Sequence, residues 1–131
     1  MASIPHTEIP GEPRSLNPPA FSIIIPVLRE QDVINKIISD LEQQSAIDRS
    51  EIIVVDGDPK GSTLEAITWP NIIKLKSSQG RATQMNFGAA RARGSILIFL
   101  HADTQLPDNA LLSIEQALIN PDIMGLSLIH I

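Results

Sequence analysis

Three unbroken apolar runs constrain this chain more than anything else in it: Phe21-Ser-Ile-Ile-Ile-Pro-Val-Leu28, Glu51-Ile-Ile-Val-Val-Asp56 and Ser95-Ile-Leu-Ile-Phe-Leu100. A strand with one face in water alternates apolar and polar residues, whereas a continuous run suits a parallel strand covered on both faces. Helical periodicity fills the intervals. From Asp32 to Gln43, Val33, Ile34, Ile37, Ile38 and Leu41 form one stripe; Ala82, Met85, Ala89 and Ala92, spaced three, four and three apart, form another. Leu64 to Ile67 reads as a short helical piece, and Asn71 to Leu75 as a shorter strand whose Lys74, with Lys76 beyond, suits a sheet edge. Gly94 is expected to stop the second long helix in a left-handed conformation. Asp108 is expected to cap a last helix that buries Leu111, Ile114 and Leu118 and ends at Pro121. Pro26 lacks a ladder donor and should mark the end of the first strand.

The order β-α-β-α-β-α-β-α predicts an α/β fold: a mostly parallel, Rossmann-like sheet with right-handed crossovers and helices on both faces. Residues 1–19, with Pro5, Pro10, Pro13, Pro18 and Pro19, read as a disordered or extended tail. The ordered domain is expected over 20–122, and residues 123–131 are left unassigned.

Composition narrows the function. Ten Lys+Arg against fifteen Asp+Glu give a net charge of −5, which argues against a nucleic-acid partner. One Trp, three Phe and no Tyr offer little surface for base stacking. The absence of cysteine excludes a disulfide framework and a thiolate metal site. No uncharged apolar run approaches the roughly 20 residues of a membrane span.

Glu30, Asp56 and Asp103 each follow an apolar run, so a parallel sheet brings them to one rim, where open α/β sheets bind ligands. Any one alone reads as a loop starter; three together point to a site. Asp56-Gly57 and Gly61-Ser62-Thr63 offer N–H groups and hydroxyls to an anion at a helix start, or else a turn and a cap. Neither a Walker loop nor a GxGxxG fingerprint is present. Arg81, beside Gly80 at a helix start, combines guanidinium with helix dipole and suits a diphosphate, or else is an ordinary exposed surface arginine, which the local sequence alone favours. His101 and Asp103, two apart, are a weak metal pair.

The segments FSIIIPVLRE, EIIVVDGDPKGST and GRATQMNFGAARARGSILIFLHADTQLP resemble the family 2 glycosyltransferases of GT-A fold, in particular a bacterial subgroup with His-Ala-Asp in place of Asp-x-Asp. The resemblance implies that Pro26 and Glu30 flank the nucleoside, that Asp56 with Gly57 meets the base, typically uracil, and that Arg81 helps to hold the nucleotide. It also implies that Asp103, with His101 nearby, holds Mn²⁺ or Mg²⁺ against the diphosphate of a nucleotide sugar. The activity implied is metal-dependent, inverting sugar transfer from a UDP-linked donor to an acceptor hydroxyl on a polysaccharide, lipid or small molecule. The setting implied is the cytoplasm or the inner face of the membrane. The turn DGDPKGST is longer than the family's usual form. No residue after Pro107 matches the family's base, so no catalytic residue is assigned and only the donor-binding part of a GT-A domain is expected, incomplete at its carboxyl end. Two rival readings are a nucleotidyltransferase, for which PVLREQD lacks the glycine- and arginine-rich loop, and a binding module without catalysis.

Overall fold

The computed structural model describes residues 18–117 and the backbone of residues 127–130. Most of the proline-rich segment, together with Leu118 and Pro121, lies outside the described residues. Strands β1 (Phe21–Val27), β2 (Ser50–Asp56), β3 (Ile72–Lys76), β4 (Ile96–Phe99) and β5 (Ser127–His130) form one sheet in the order β3-β2-β1-β4-β5. Every pairing is parallel. β3, with its two lysines, is an edge as its charge foretold. Among the described residues no helix is long and apolar enough to cross a membrane.

The two faces divide the core by strand parity. Ile23, Ile25, Ile52, Val54 and Ile98 point to one face, where they meet α1 (Ile34–Glu42) through Ile34, Ile37, Ile38 and Leu41. Leu64 of α2 (Ser62–Ala66) and Leu111 of α4 (Ala110–Ala117) join the same cluster. Ile24, Ile53, Val55, Leu97 and Phe99 point to the other face, against Met85 and Ala89 of α3 (Arg81–Arg91). For α1, α2 and α3 this division follows from the topology. The chain steps outward from β1 to β3, then α3 returns it past β2 and β1 to β4. Crossovers of one hand running in opposite directions lie on opposite faces. The reversal falls between β1 and β4, where such sheets open a crevice at their carboxyl ends.

Several expectations are corrected. β1 continues through Pro26 and pairs with β2 as far as Val27↔Asp56, while its pairing with β4 stops at Ile24↔Phe99. Leu100 donates to the Ile24 carbonyl, so the even-numbered residues of β1 bond toward β4. The missing Pro26 donor therefore faces β4 and parts the strands at the switch point. α1 begins at Ile34, and Val33 precedes it with 41% of its surface exposed. Gly94 is not left-handed: among the described glycines only Gly61 and Gly80 have positive φ. It is glycine because its backbone crosses β1, where a Cβ would lie 2.7 Å from the Phe21 carbonyl carbon, and its N–H donates to Ser22 Oγ. Asn109, left-handed at φ 63, precedes α4 in place of an Asp108 cap. The unassigned end includes a fifth strand, which pairs with β4 from Ile96↔Ser127 to Phe99↔His130.

The α3 stripe is also rotated from the one expected. Ala82 is exposed, and the buried centre is Gln84 and Gly88. Gly88 is where helix and sheet approach most closely: a Cβ there would lie 2.6 Å from Ile24 Cγ2 and 3.0 Å from Val55 Cγ2.

Candidate functional site

The carboxyl ends of β1 and β2 are bound into one rim by short hydrogen bonds. Gly57 N–H donates to the Val27 carbonyl at 3.0 Å, prolonging the ladder beyond Asp56. Arg29 takes φ 54, uncommon for a side-chain-bearing residue, and turns the chain as it leaves β1. One residue later, Glu30 N–H donates to Thr63 Oγ1 at 2.9 Å. The Glu30 carbonyl accepts from Val33 and Ile34 and so starts α1. Glu30 thus couples the first loop to the start of α2 through its backbone, a role that its carboxylate did not suggest.

Asp56 is fully buried at the end of β2. Its Oδ1 accepts the Asp58 N–H at 2.9 Å, and its Oδ2 accepts those of Thr63 at 3.1 Å and Leu64 at 3.3 Å. The anion at the start of α2 is therefore the chain's own carboxylate, and this explains how DGDPKGST stays compact. Asp58 repeats the device outside it, accepting Lys60 N–H at 3.1 Å and the Ser62 hydroxyl at 2.8 Å. The Ser62 hydroxyl, and after it the Lys60 N–H, hold the Asp58 carboxyl below the usual carboxylate range. The resemblance gave Asp56 to a base. Here both of its oxygens serve the loop, so a base would meet that loop's surface unless the loop opened.

Gly80, at φ 141, leads into α3, and Arg81 is the helix's exposed first residue. As the first residue of α3, Arg81 adds its charge to the end of the helix where the dipole is positive. On the far side of the switch point the chain leaves β4 through Leu100. Thr104 N–H bonds the His101 carbonyl at 3.0 Å, and Ala102 and Leu106 pack against the core. Those anchors leave Asp103 exposed between them, with His101 half-buried two residues earlier.

Among the described residues no group of three or more His, Asp or Glu side chains converges as a metal cage. A hard divalent cation needs no such cage when phosphate oxygens complete its shell, since one or two carboxylates then suffice. The exposed Asp103 fits a cation that arrives with a diphosphate better than a resident one. Pro26, Glu30, Asp56 and Gly57 thus share one hydrogen-bonded rim, with Arg81 at the adjoining helix start. Asp103 and His101 stand beyond the β1–β4 split.

An open cleft of about 520 Å³ lies elsewhere, between the end of α1 and the loop before α4, lined by Lys36, Asp40, Gln44 and Asp108 among others. It shares no residue with the rim. Gln44 is structural there, donating to the Pro107 carbonyl at 3.0 Å and accepting the Leu111 N–H at 3.1 Å. At the opposite, amino end of the sheet, Glu51 is buried and accepts from Ser22 Oγ at 2.6 Å and from Arg93 N–H at 2.7 Å.

The model of the family described as "Glycosyl transferase family 2" matches residues 22–126. Among characterised proteins, the PGL/p-HBAD biosynthesis glycosyltransferase of Mycobacterium bovis BCG is 37% identical over 95 residues, covering 67% of this chain and 37% of that protein. The same figures hold for its counterpart in Mycobacterium tuberculosis H37Ra. This chain therefore spans little more than a third of the length of the relatives it matches. Among solved structures, a mannosyltransferase from Pyrobaculum calidifontis in complex with GDP-Man and Mn²⁺ superposes with a TM-score of 0.67 at 23% identity, over 81% of this chain and 34% of that one. At that identity the likeness speaks to the fold, which is GT-A-like.

Proposed function

The chain belongs to glycosyl transferase family 2, and on that premise we propose that its strand-end rim binds the nucleoside diphosphate of a sugar donor for transfer to an acceptor hydroxyl. One observation carries the reading. The loops after β1 and β2 are bonded into a single rim beside the β1–β4 split, with a cationic helix start on one side and the exposed Asp103 on the other.

Each residue has a part. Pro26 opens the crevice by withholding a donor from β4. Glu30 and the loop held by Asp56 and Gly57 form the surface that meets the nucleoside. Arg81 pairs with the diphosphate, as a guanidinium does in preference to an ammonium. Asp103, assisted by His101, would hold Mn²⁺ or Mg²⁺ at the same diphosphate. The charge such a cation supplies would offset that developing on the leaving group. In the inverting transfer implied, the acceptor oxygen bonds to the anomeric carbon from the face opposite the departing diphosphate. A carboxylate base takes the hydroxyl proton. No residue described here is assigned as that base.

The nucleotide is taken as uridine from the resemblance; the GDP-Man of the archaeal mannosyltransferase makes guanosine its competitor. Thermal unfolding in the presence of UDP, GDP or ADP, each with and without Mn²⁺, tests the reading. At a hundredfold excess over Kd the preferred nucleotide with metal should raise Tm by about 10 °C, and the others should raise it less. A cooperative transition that none of the three moves would overturn the reading.

A further inference from the structure

We propose that Gln84 is a positioning residue of this site, holding the two strand ends and the start of α3 in the geometry that a nucleotide requires. The inference rests on the donor-site reading above and names a residue which that reading did not use. Gln84 retains only 4% of its surface and, with Gly88, is one of the two buried residues of α3. A buried carboxamide is costly unless its polar atoms are bonded.

All the bonds made by this carboxamide point toward the rim. Nε2 donates to the Val27 carbonyl and to the Val55 carbonyl, each at 2.8 Å, using both of its hydrogens. Oε1 accepts the Gly80 N–H at 3.2 Å. Val27 leads into the loop of Glu30, Val55 into Asp56 and Gly57, and Gly80 into Arg81. One side chain therefore fixes three segments that are remote in sequence, each carrying residues of the site.

Two glycines are fitted to it. A Cβ on Gly57 would lie 2.6 Å from Gln84 Oε1 and 2.8 Å from Cδ, so the loop after β2 can lie against the carboxamide only as glycine. Gly80 has φ 141, which presents its N–H to Oε1, while its own carbonyl accepts the Gln84 backbone N–H at 2.8 Å. This reciprocal pair resembles a capping box in which the side chain reaches back to the helix start. That clamp fixes the backbone of Gly80, the residue that Arg81 follows. A methionine of similar volume would fill the space and release all three segments.

The test is calorimetric titration of UDP with Mn²⁺ into the full chain, comparing the native protein with Gln84→Met. Glu51→Gln, at the opposite end of the sheet, controls for a general loss of stability. Gln84→Met should bind about tenfold more weakly while folded, because the competent geometry becomes a minor population; Glu51→Gln should keep native affinity. Arg81→Ala should cost less affinity in the Gln84→Met background than in the native one, since residues that act as a unit are not additive. A purely structural role would leave the two Arg81 penalties equal. Native affinity in Gln84→Met, or equal Arg81 penalties, overturns the proposal and leaves the donor-site reading standing. Absence of binding by the native chain to UDP, GDP and ADP with Mn²⁺ overturns the two together. Should Gln84→Met not fold, Gln84→Asn, one methylene too short for the three bonds, is read in the same way.

Discussion

Replacing Asp56 with alanine is expected to lower stability by about 3 kcal/mol, as two buried backbone donors and one part-buried donor lose a charged acceptor. The donors are the N–H groups of Asp58, Thr63 and Leu64, at 2.9, 3.1 and 3.3 Å. A buried donor left unpaired costs roughly 1–3 kcal/mol, and less where water can reach it. Relief from burying the carboxylate offsets part of that sum. Asp56→Asn should recover some of the loss, because its carbonyl oxygen still accepts while its amide nitrogen faces donors. Urea denaturation of both variants measures the difference. A loss below about 1 kcal/mol in the alanine variant would mean that the loop is held by something other than Asp56.

Gly88→Val should cost as much or more, about 3 kcal/mol, by overpacking the seam between α3 and the sheet. Two effects oppose each other at this position. An exposed helical glycine replaced by alanine gains roughly 1 kcal/mol from backbone entropy and propensity. Here the added carbon would sit 2.6 Å from Ile24 Cγ2 and 3.0 Å from Val55 Cγ2, and both partners belong to buried strands. Neither strand can retreat without disturbing the ladder beneath. Overpacking at a rigid site costs roughly 1–3 kcal/mol per intrusion, so clash should outweigh propensity even for alanine, and the branched valine should lose far more. Denaturation midpoints for Gly88→Ala and Gly88→Val decide it. An alanine variant more stable than the native chain would show that α3 has room to move outward.

The same two positions show what could be read in the sequence. Continuous apolar runs identified β1, β2 and β4 because burial on both faces leaves a pattern with no polar interruption. Gly80-Arg81 was visible as a helix start because glycine and the onset of periodicity coincide there. Asp56 was recognised as a strand-end carboxylate, but its role was not, since sequence cannot tell an acid that faces a ligand from one that its own loop encloses. Gln84 was overlooked because a polar residue beside an apolar stripe reads as solvent-facing. Gly88, interrupting an otherwise Ala-rich helix, told of close packing against the sheet but not that Gln84 shares its buried face. Glu51 was hidden likewise: a carboxylate opening an apolar strand looks like its boundary, and its acceptors matter only once Ser22 and Arg93 come to it in space. The fifth strand, Ser127–His130, carries no turn or capping signal, and its pairing with β4 is a contact that local sequence does not encode.

The geometry at the end of β4 bears the central claim. Asp103 is the exposed carboxylate beside the crevice, and the cation it would hold is one that a diphosphate brings. The decisive measurement is calorimetric titration of UDP into the native chain and into Asp103→Ala, each with Mn²⁺ and with chelator. The account predicts binding that requires the metal in the native chain and is lost in Asp103→Ala, with the thermal unfolding of the variant unchanged. Equal affinity in the two proteins, or binding indifferent to the metal, would contradict it.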